Sequence, residues 1–280
     1  MQRHPAEVFG YPVDIHTREA AQCRTNHWCP FLDQQCDKKS RLIDYPMGVC
    51  SVEYEGDVVA LCPNRFLQKK TVFRDIAAHH FGGLDNLVVF NEVSVPGAAH
   101  LGRFDYVIAR HEPLGMRIDD FVATEIQTAQ TTNTGRLVRA LQDFMDGRPV
   151  TEMSYRFGLN MADIWKRAFT QILTEGLVLE RWGHKIFWVV QEPIFRDLEA
   201  RYRLGALPYN DSHATIFALY DLKRAGNSYE LVQTRIMSST ADGLFDAFRT
   251  NLQVPPKRRF VEKLEKDLKE TVRPSLELRL

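Results

Sequence analysis

The chain has 280 residues, 44% of them hydrophobic, and its 36 basic and 36 acidic side chains cancel. It can bury a substantial core, as one large domain or as a small module on a larger one. Its longest apolar runs, such as Ile186–Val190, hold about five residues, far short of a membrane span. Neutrality argues against a nonspecific polyanion binder, but not against a specific one. Acidic groups at a metal-dependent site can offset a basic groove, so local placement decides.

The chain starts Met-Gln-Arg-His-Pro with no apolar run behind it, so the sequence predicts no signal peptide and a cytoplasmic protein. Four of its five cysteines follow closely: Cys29 in Cys-Pro-Phe-Leu, Cys36, Cys50, and Cys62 in Cys-Pro-Asn-Arg. Only Cys23 lies outside the set, and none occurs after Cys62. Such clustering suggests a local staple, in which a Cys₄ tetrahedron draws thiolates from a few loops. Six, thirteen and eleven residues separate successive cysteines of the set, looser than a paired Cys-x-x-Cys ribbon. Free buried cysteines and disulfides are the alternatives, and disulfides would need an oxidising compartment.

Residues 87–95 read as a strand or buried segment carrying Glu92, followed by a turn at Pro96 to Ala99. Phe104 to Ala109 reads as a strand with Asp105 at its entrance. After a turn around Leu114-Gly115, Phe121 to Thr128 reads as another. Alternation puts Ala123, Glu125 and Gln127 on one face, and Val122, Thr124 and Ile126 on the apolar other. If the strands pair, Asp105 joins Glu125 and Gln127. Two carboxylates on adjacent strands suit a hard divalent cation such as Mg²⁺, and a third polar side chain can orient a water for phosphodiester cleavage. An ordinary half-exposed sheet with one polar face gives the same pattern.

Thr131 to Asp146 has Leu137, Val138, Leu141 and Phe144 at helical spacing, with Arg136 and Arg139 opposite. Asn160 can cap a helix from Met161 to about Glu180, with Asp163 at the capping-box position. Its apolar stripe is Ile164, Ala168, Ile172 and Leu173. Trp165, Lys166 and Arg167 lie off it, at a packed helix edge or facing DNA. Strands are predicted at Lys185–Gln191 and Ala214–Leu222, then a Gly226-Asn227 hairpin into Tyr229–Met237. Leu244, Phe245, Phe248 and Leu252 mark a helix, and residues 257–272 a charged amphipathic tail with Phe260, Val261, Leu264 and Leu268 on one side.

Asp followed by Glu-x-Lys is the PD-(D/E)xK nuclease signature, with Gln for Lys in some restriction enzymes. Glu-Val-Phe-Gly (7–10), Glu-Ala-Ala (19–21), Cys-Pro-Phe-Leu, Gly-Val-Cys (48–50), Leu-Cys-Pro-Asn-Arg (61–65), Phe-Asp-Tyr and Glu-Ile-Gln-Thr occur in this order. Together they resemble the NotI-like family of type II restriction endonucleases over roughly residues 7–130. The likeness continues weakly through Trp165-Lys166-Arg167-Ala168-Phe169. The cysteine spacings, the extra Cys23 and a shorter chain depart from the family pattern.

The resemblance implies an α/β fold with a mixed, five-stranded sheet flanked by helices. It implies an N-terminal Cys₄ module over residues 1–75 and a nuclease domain over 76–280, which may share one core. Asp105 and Glu125 would hold Mg²⁺, Gln127 would stand at the lysine position, and Glu92 would be an additional acid. Cys29, Cys36, Cys50 and Cys62 would hold a structural Fe or Zn. The substrate would be double-stranded DNA with a GC-rich palindrome, its core GGCC, cut by a homodimer. A cognate DNA methyltransferase would act on the same site without needing to bind this chain. Arg24, Arg41, Arg136 and Arg139 are candidate guanine readers. The rival readings are another PD-(D/E)xK nuclease of repair or recombination, and a non-catalytic Cys₄-stapled DNA-binding regulator.

Overall fold

A computed structural model describes residues 2–98, 102–115, 117–202, 207–251 and 254–270. Ala99, Leu252 and residues 271–272, each part of a predicted element, lie outside the described residues, as does the Leu268 side chain.

The N-terminal third forms β1 (Arg3–Val8), β2 (Tyr11–Pro12), α1 (Arg18–Thr25), β3 (Trp28–Cys29), β4 (Gln34–Gln35), β5 (Val49–Tyr54) and β6 (Asp57–Ala60). A 3₁₀ stretch (Pro63–Lys70) leads into α2 (Thr71–Phe81). Strands β2-β1-β5-β6 make an antiparallel sheet, and β3 and β4 form a separate hairpin. The short sequence words recorded above build this region by packing. Gly10, at φ 82°, lies so close to Pro30 that a Cβ there would collide with its ring. Gly48, at φ 55°, is pressed in the same way against the Phe9 ring. Both positions need glycine for backbone and for space.

The larger sheet is built from β7 (Leu87–Ser94), β8 (Arg103–His111), β9 (Ile118–Gln127), β12 (Lys185–Gln191), β13 (Thr215–Ala225) and β14 (Ser228–Ser239). Its order is β14-β13-β12-β9-β8-β7, with β12 parallel to both neighbours and the remaining pairs antiparallel. The sheet is therefore mixed, as expected, but has six strands rather than five, because every segment patterned as a strand joins it. Between β9 and β12 lie β10 (Thr131–Thr132), α3 (Thr134–Met145), β11 (Gly158–Leu159), α4 (Met161–Gln171), a π turn (Ile172–Gly176) and α5 (Leu177–Trp182). After β12 come α6 (Glu192–Tyr202) and, beyond the β13–β14 hairpin, α7 (Ala241–Asn251) and α8 (Lys257–Glu270). Asn160 caps α4 by accepting a hydrogen bond from the Asp163 N–H at 3.3 Å.

Alternation along β12 explains its unbroken apolar run. Ile186, Trp188 and Val190 enter one core cluster, while Phe187 and Val189 enter the other. A strand covered on both faces by helices reads as continuous hydrophobicity. The first cluster also takes Val8 and Phe9 of the N-terminal sheet, Leu137 and Leu141 of α3, and Trp165 of α4. Trp165 is 2% exposed and meets Phe195 edge to face, so it belongs to the core and not to a DNA-facing surface. Leu173, expected on the apolar stripe, is 38% exposed because the π turn shifts the helix register. The apolar side of α8 is exposed at Phe260 and Leu264. Among the described residues no helix is long and apolar enough to cross a membrane.

Candidate active site

The pairing of β8 with β9 aligns Val107 with Ala123 and Tyr106 with Thr124. One step further the ladder opens, and side chains take its hydrogen bonds. The Asp105 N–H donates to Glu125 Oε1 at 3.0 Å, and the Ile126 N–H donates to Asp105 Oδ2 at 2.9 Å. Each carboxylate thus clasps the other strand's main chain. The face predicted to carry Glu125 and Gln127 is closed over by α4 and the π turn, leaving Glu125 1% and Gln127 5% exposed.

The helical cover supplies two residues that the sequence reading missed. Gln171, the last residue of α4, accepts from Gln127 Nε2 at 3.1 Å and donates to Glu125 Oε2 at 3.0 Å. Glu175, on the π turn, is buried, and its Oε2 has no hydrogen-bond partner. π turns are rare and concentrate at functional sites. A signal was present: Gln171 and Glu175 continue the line Ile164–Ala168 at helical spacing, so polar residues occupy core-facing positions.

Three acids so placed repel one another. Burial, then Asp105 and Glu175, push the Glu125 carboxyl up to about 9. Burial and Asp105 raise Glu175 to about 7, and burial with the Glu92 charge raises Asp105. Oxygen donors on adjoining strands, burdened by mutual repulsion, are chemically suited to a hard divalent cation. Glu92 sits on edge strand β7 between the Asn91–Tyr106 and Val93–Phe104 pairs, which places it opposite Asp105. Its φ is 53°, a strained setting for a residue with a side chain, and its carboxylate is exposed and 3.8 Å from Arg103.

The four clustered cysteines gather on the N-terminal side. Cys29, Cys50 and Cys62 are buried, and Cys36 is half-buried. The charges of Cys36 and Cys62 are both felt at Cys29, and those of Cys29 and Cys62 at Cys50. Backbone N–H groups of Phe31 and Leu32 point at the Cys29 sulfur, that of Gly10 at Cys50, and that of Asn64 at Cys62. Burial raises all three of these thiols, whereas directed N–H groups favour thiolate. That donor set fits a soft or borderline metal. Cys23 lies apart and shares a hydrogen bond with Tyr11. No disulfide joins any of the five. Among the described residues no three carboxylates, imidazoles or thiols stand close enough to enclose a metal ion.

Between the cysteine region and the carboxylates runs a cavity of about 640 Å³, lined by Lys38, Lys39, Asp105, Gln130 and Arg167 among others. It places cationic side chains beside the acids, within an overall neutral chain. Of the candidate guanine readers, Arg24 is buried and donates to the Ile15 and Pro12 carbonyls at 2.7 and 2.8 Å, so it is committed to holding α1. Arg41, Arg136 and Arg139 are exposed.

No curated protein matches the chain. A model of the restriction endonuclease NotI family matches residues 7–232, from the β1 motif through the whole carboxylate site and into β14. The chain belongs to the NotI restriction endonuclease family.

Proposed function

We propose that this chain is a type II restriction endonuclease that makes Mg²⁺-dependent double-strand cuts at a specific, GC-rich palindrome. The observation that carries the reading is the reciprocal clasp of Asp105 and Glu125 across β8 and β9, with Gln127 two residues on. It supports the PD-(D/E)xK reading, with an amide at the lysine position. Asp105 and Glu125 would hold Mg²⁺, which when bound neutralises the scissile phosphate and lowers the pKa of an attacking water. Gln127 orients that water, and Glu92 adds negative charge at the rim beside Asp105. Lys38, Lys39 and Arg167 draw the DNA backbone into the adjoining cavity. Residues 1–75 are read as a module whose Cys29, Cys36, Cys50 and Cys62 hold Fe or Zn, and residues 76–280 as the nuclease domain. Two chains related by a two-fold axis meet the two half-sites. The cognate methyltransferase modifies the same sequence independently.

The test is direct. Purified protein with Mg²⁺ yields discrete fragments from phage DNA, whereas Asp105→Ala and Glu125→Ala do not cut yet still bind the site in Ca²⁺. Either variant cutting at the wild-type rate sinks the assignment.

A further inference from the structure

Gln171 belongs to neither strand of the site, yet it hydrogen-bonds two of its polar side chains. A glutamine amide has one carbonyl acceptor and two N–H donors. One donor goes to Glu125 Oε2 at 3.0 Å. An ionised Glu125, the form that would hold a cation, can only accept, so this contact claims the NH₂ end of Gln171. Only its carbonyl remains for Gln127, and it accepts from Gln127 Nε2 at 3.1 Å. The chain of bonds has a single sense: the Glu125 carboxylate orients Gln171, and Gln171 orients Gln127. We infer that Gln171 is a positioning residue for cleavage, which turns the Gln127 NH₂ group toward α4 and leaves its carbonyl oxygen to accept a hydrogen bond from the attacking water.

The inference rests on the nuclease reading above and assigns how Gln127 works within it. Without Gln171, the Gln127 amide could rotate by half a turn and offer the water a donor instead. The α4 end and the π turn that follows it are built to deliver this one contact. Gln171 sits where α4 stops being α-helical, and the π turn begins at the next residue.

A double-mutant cycle separates positioning from support of the fold. Gln171→Met keeps length and packing but makes no hydrogen bond, and Gln171→Glu keeps shape but can no longer donate. Both are expected to lower kcat by about 10–100-fold, as loss of outer-shell partners does, with KM for DNA and Ca²⁺-supported DNA binding nearly unchanged. Gln127→Ala combined with Gln171→Met should be no slower than Gln127→Ala alone, because Gln171 acts through Gln127. Full additivity in the cycle, or an unchanged kcat in Gln171→Met, overturns the inference. So does a variant whose rate loss follows only a loss of melting temperature. Asp105→Ala serves as the control: if it cuts, or the wild type does not, the nuclease reading fails and this inference fails with it. A dead Asp105→Ala beside an additive cycle overturns this inference alone.

Discussion

Glu125 is buried against Asp105 and Glu175, and its carboxyl is held at about 9 against a usual value of 4.5. A carboxyl raised in the folded state contributes stability that is complete below the unfolded value and is lost as pH rises through the folded one. For Glu125 that window runs from 4.5 to about 9, and for Glu175 from 4.5 to about 7. In EDTA, Glu125→Gln should therefore melt higher than the wild type, by a margin that grows between about pH 5 and pH 8.5. A margin that is flat or shrinks with pH would contradict the buried, crowded carboxyl. At this scale the alternation of β9 made Glu125 and Gln127 legible in the sequence, and Phe-Asp-Tyr marked Asp105. Gln171 and Glu175 were legible only as polar residues at core-facing positions, because a helical pattern shows which face is buried but not that polar residues on that face meet a strand. For Trp165 the sequence left a packed helix edge and a DNA-facing role open, and the structure gives the packed one. Phe195 of α6 covers a flank of α4 that its own periodicity leaves outside.

Among the elements, the N-terminal sheet shows what the sequence words contribute physically. Glu7 of Glu-Val-Phe-Gly and Arg65 of Leu-Cys-Pro-Asn-Arg form a fully buried ion pair at 2.8 Å. Ser51 Oγ donates to Glu7 Oε2 at 2.7 Å, and the Arg65 guanidinium donates to the Tyr229 carbonyl at 2.6 Å. The pair therefore ties β1 to β5 and to β14 across the chain. Removing one partner strands a buried charge, so Arg65→Met should cost about 3–5 kcal/mol in urea unfolding, and the double replacement with Glu7→Gln clearly less. A double-variant loss equal to the sum of the two single losses would show the pair to be uncoupled. The cysteines form the other N-terminal feature. Protein washed in EDTA should retain about one Fe or Zn per chain if the four thiolates close on a metal. Visible absorbance would identify iron. Cys50→Ser should lose the metal and soluble yield, whereas Cys23→Ser, bonded to Tyr11 instead, should keep both. Metal-free protein of full stability would refute the site. Clustering in the sequence singles out these four residues. The tight packing of Gly10 on Pro30 and of Gly48 on Phe9 is something no spacing rule reveals.

For the molecule as a whole, net charge and symmetry set the terms of recognition. With no net charge, attraction to DNA has to come from a local patch, and Lys38, Lys39 and Arg167 supply one beside Asp105. Lys39 is exposed, so Lys39→Ala should weaken binding to all sequences alike and flatten the salt slope by about one unit. Loss of a base-reading arginine, sought among Arg41, Arg136 and Arg139, should instead cost about 1–3 kcal/mol at one base pair. On the proposed reading, the carboxylate site of one chain would cut one strand at a time. Cutting both strands at matched positions then calls for two chains on a two-fold axis, and that symmetry requires a palindrome. Sequencing the ends of digested genomic DNA should return such a palindrome with a GC-rich core, and sedimentation of the protein on a single-site duplex in Ca²⁺ should give two chains per duplex. An AT-rich consensus would overturn the GC-rich reading, and a non-palindromic site bound by one chain would overturn the symmetric dimer, each without touching the assignment of Asp105 and Glu125.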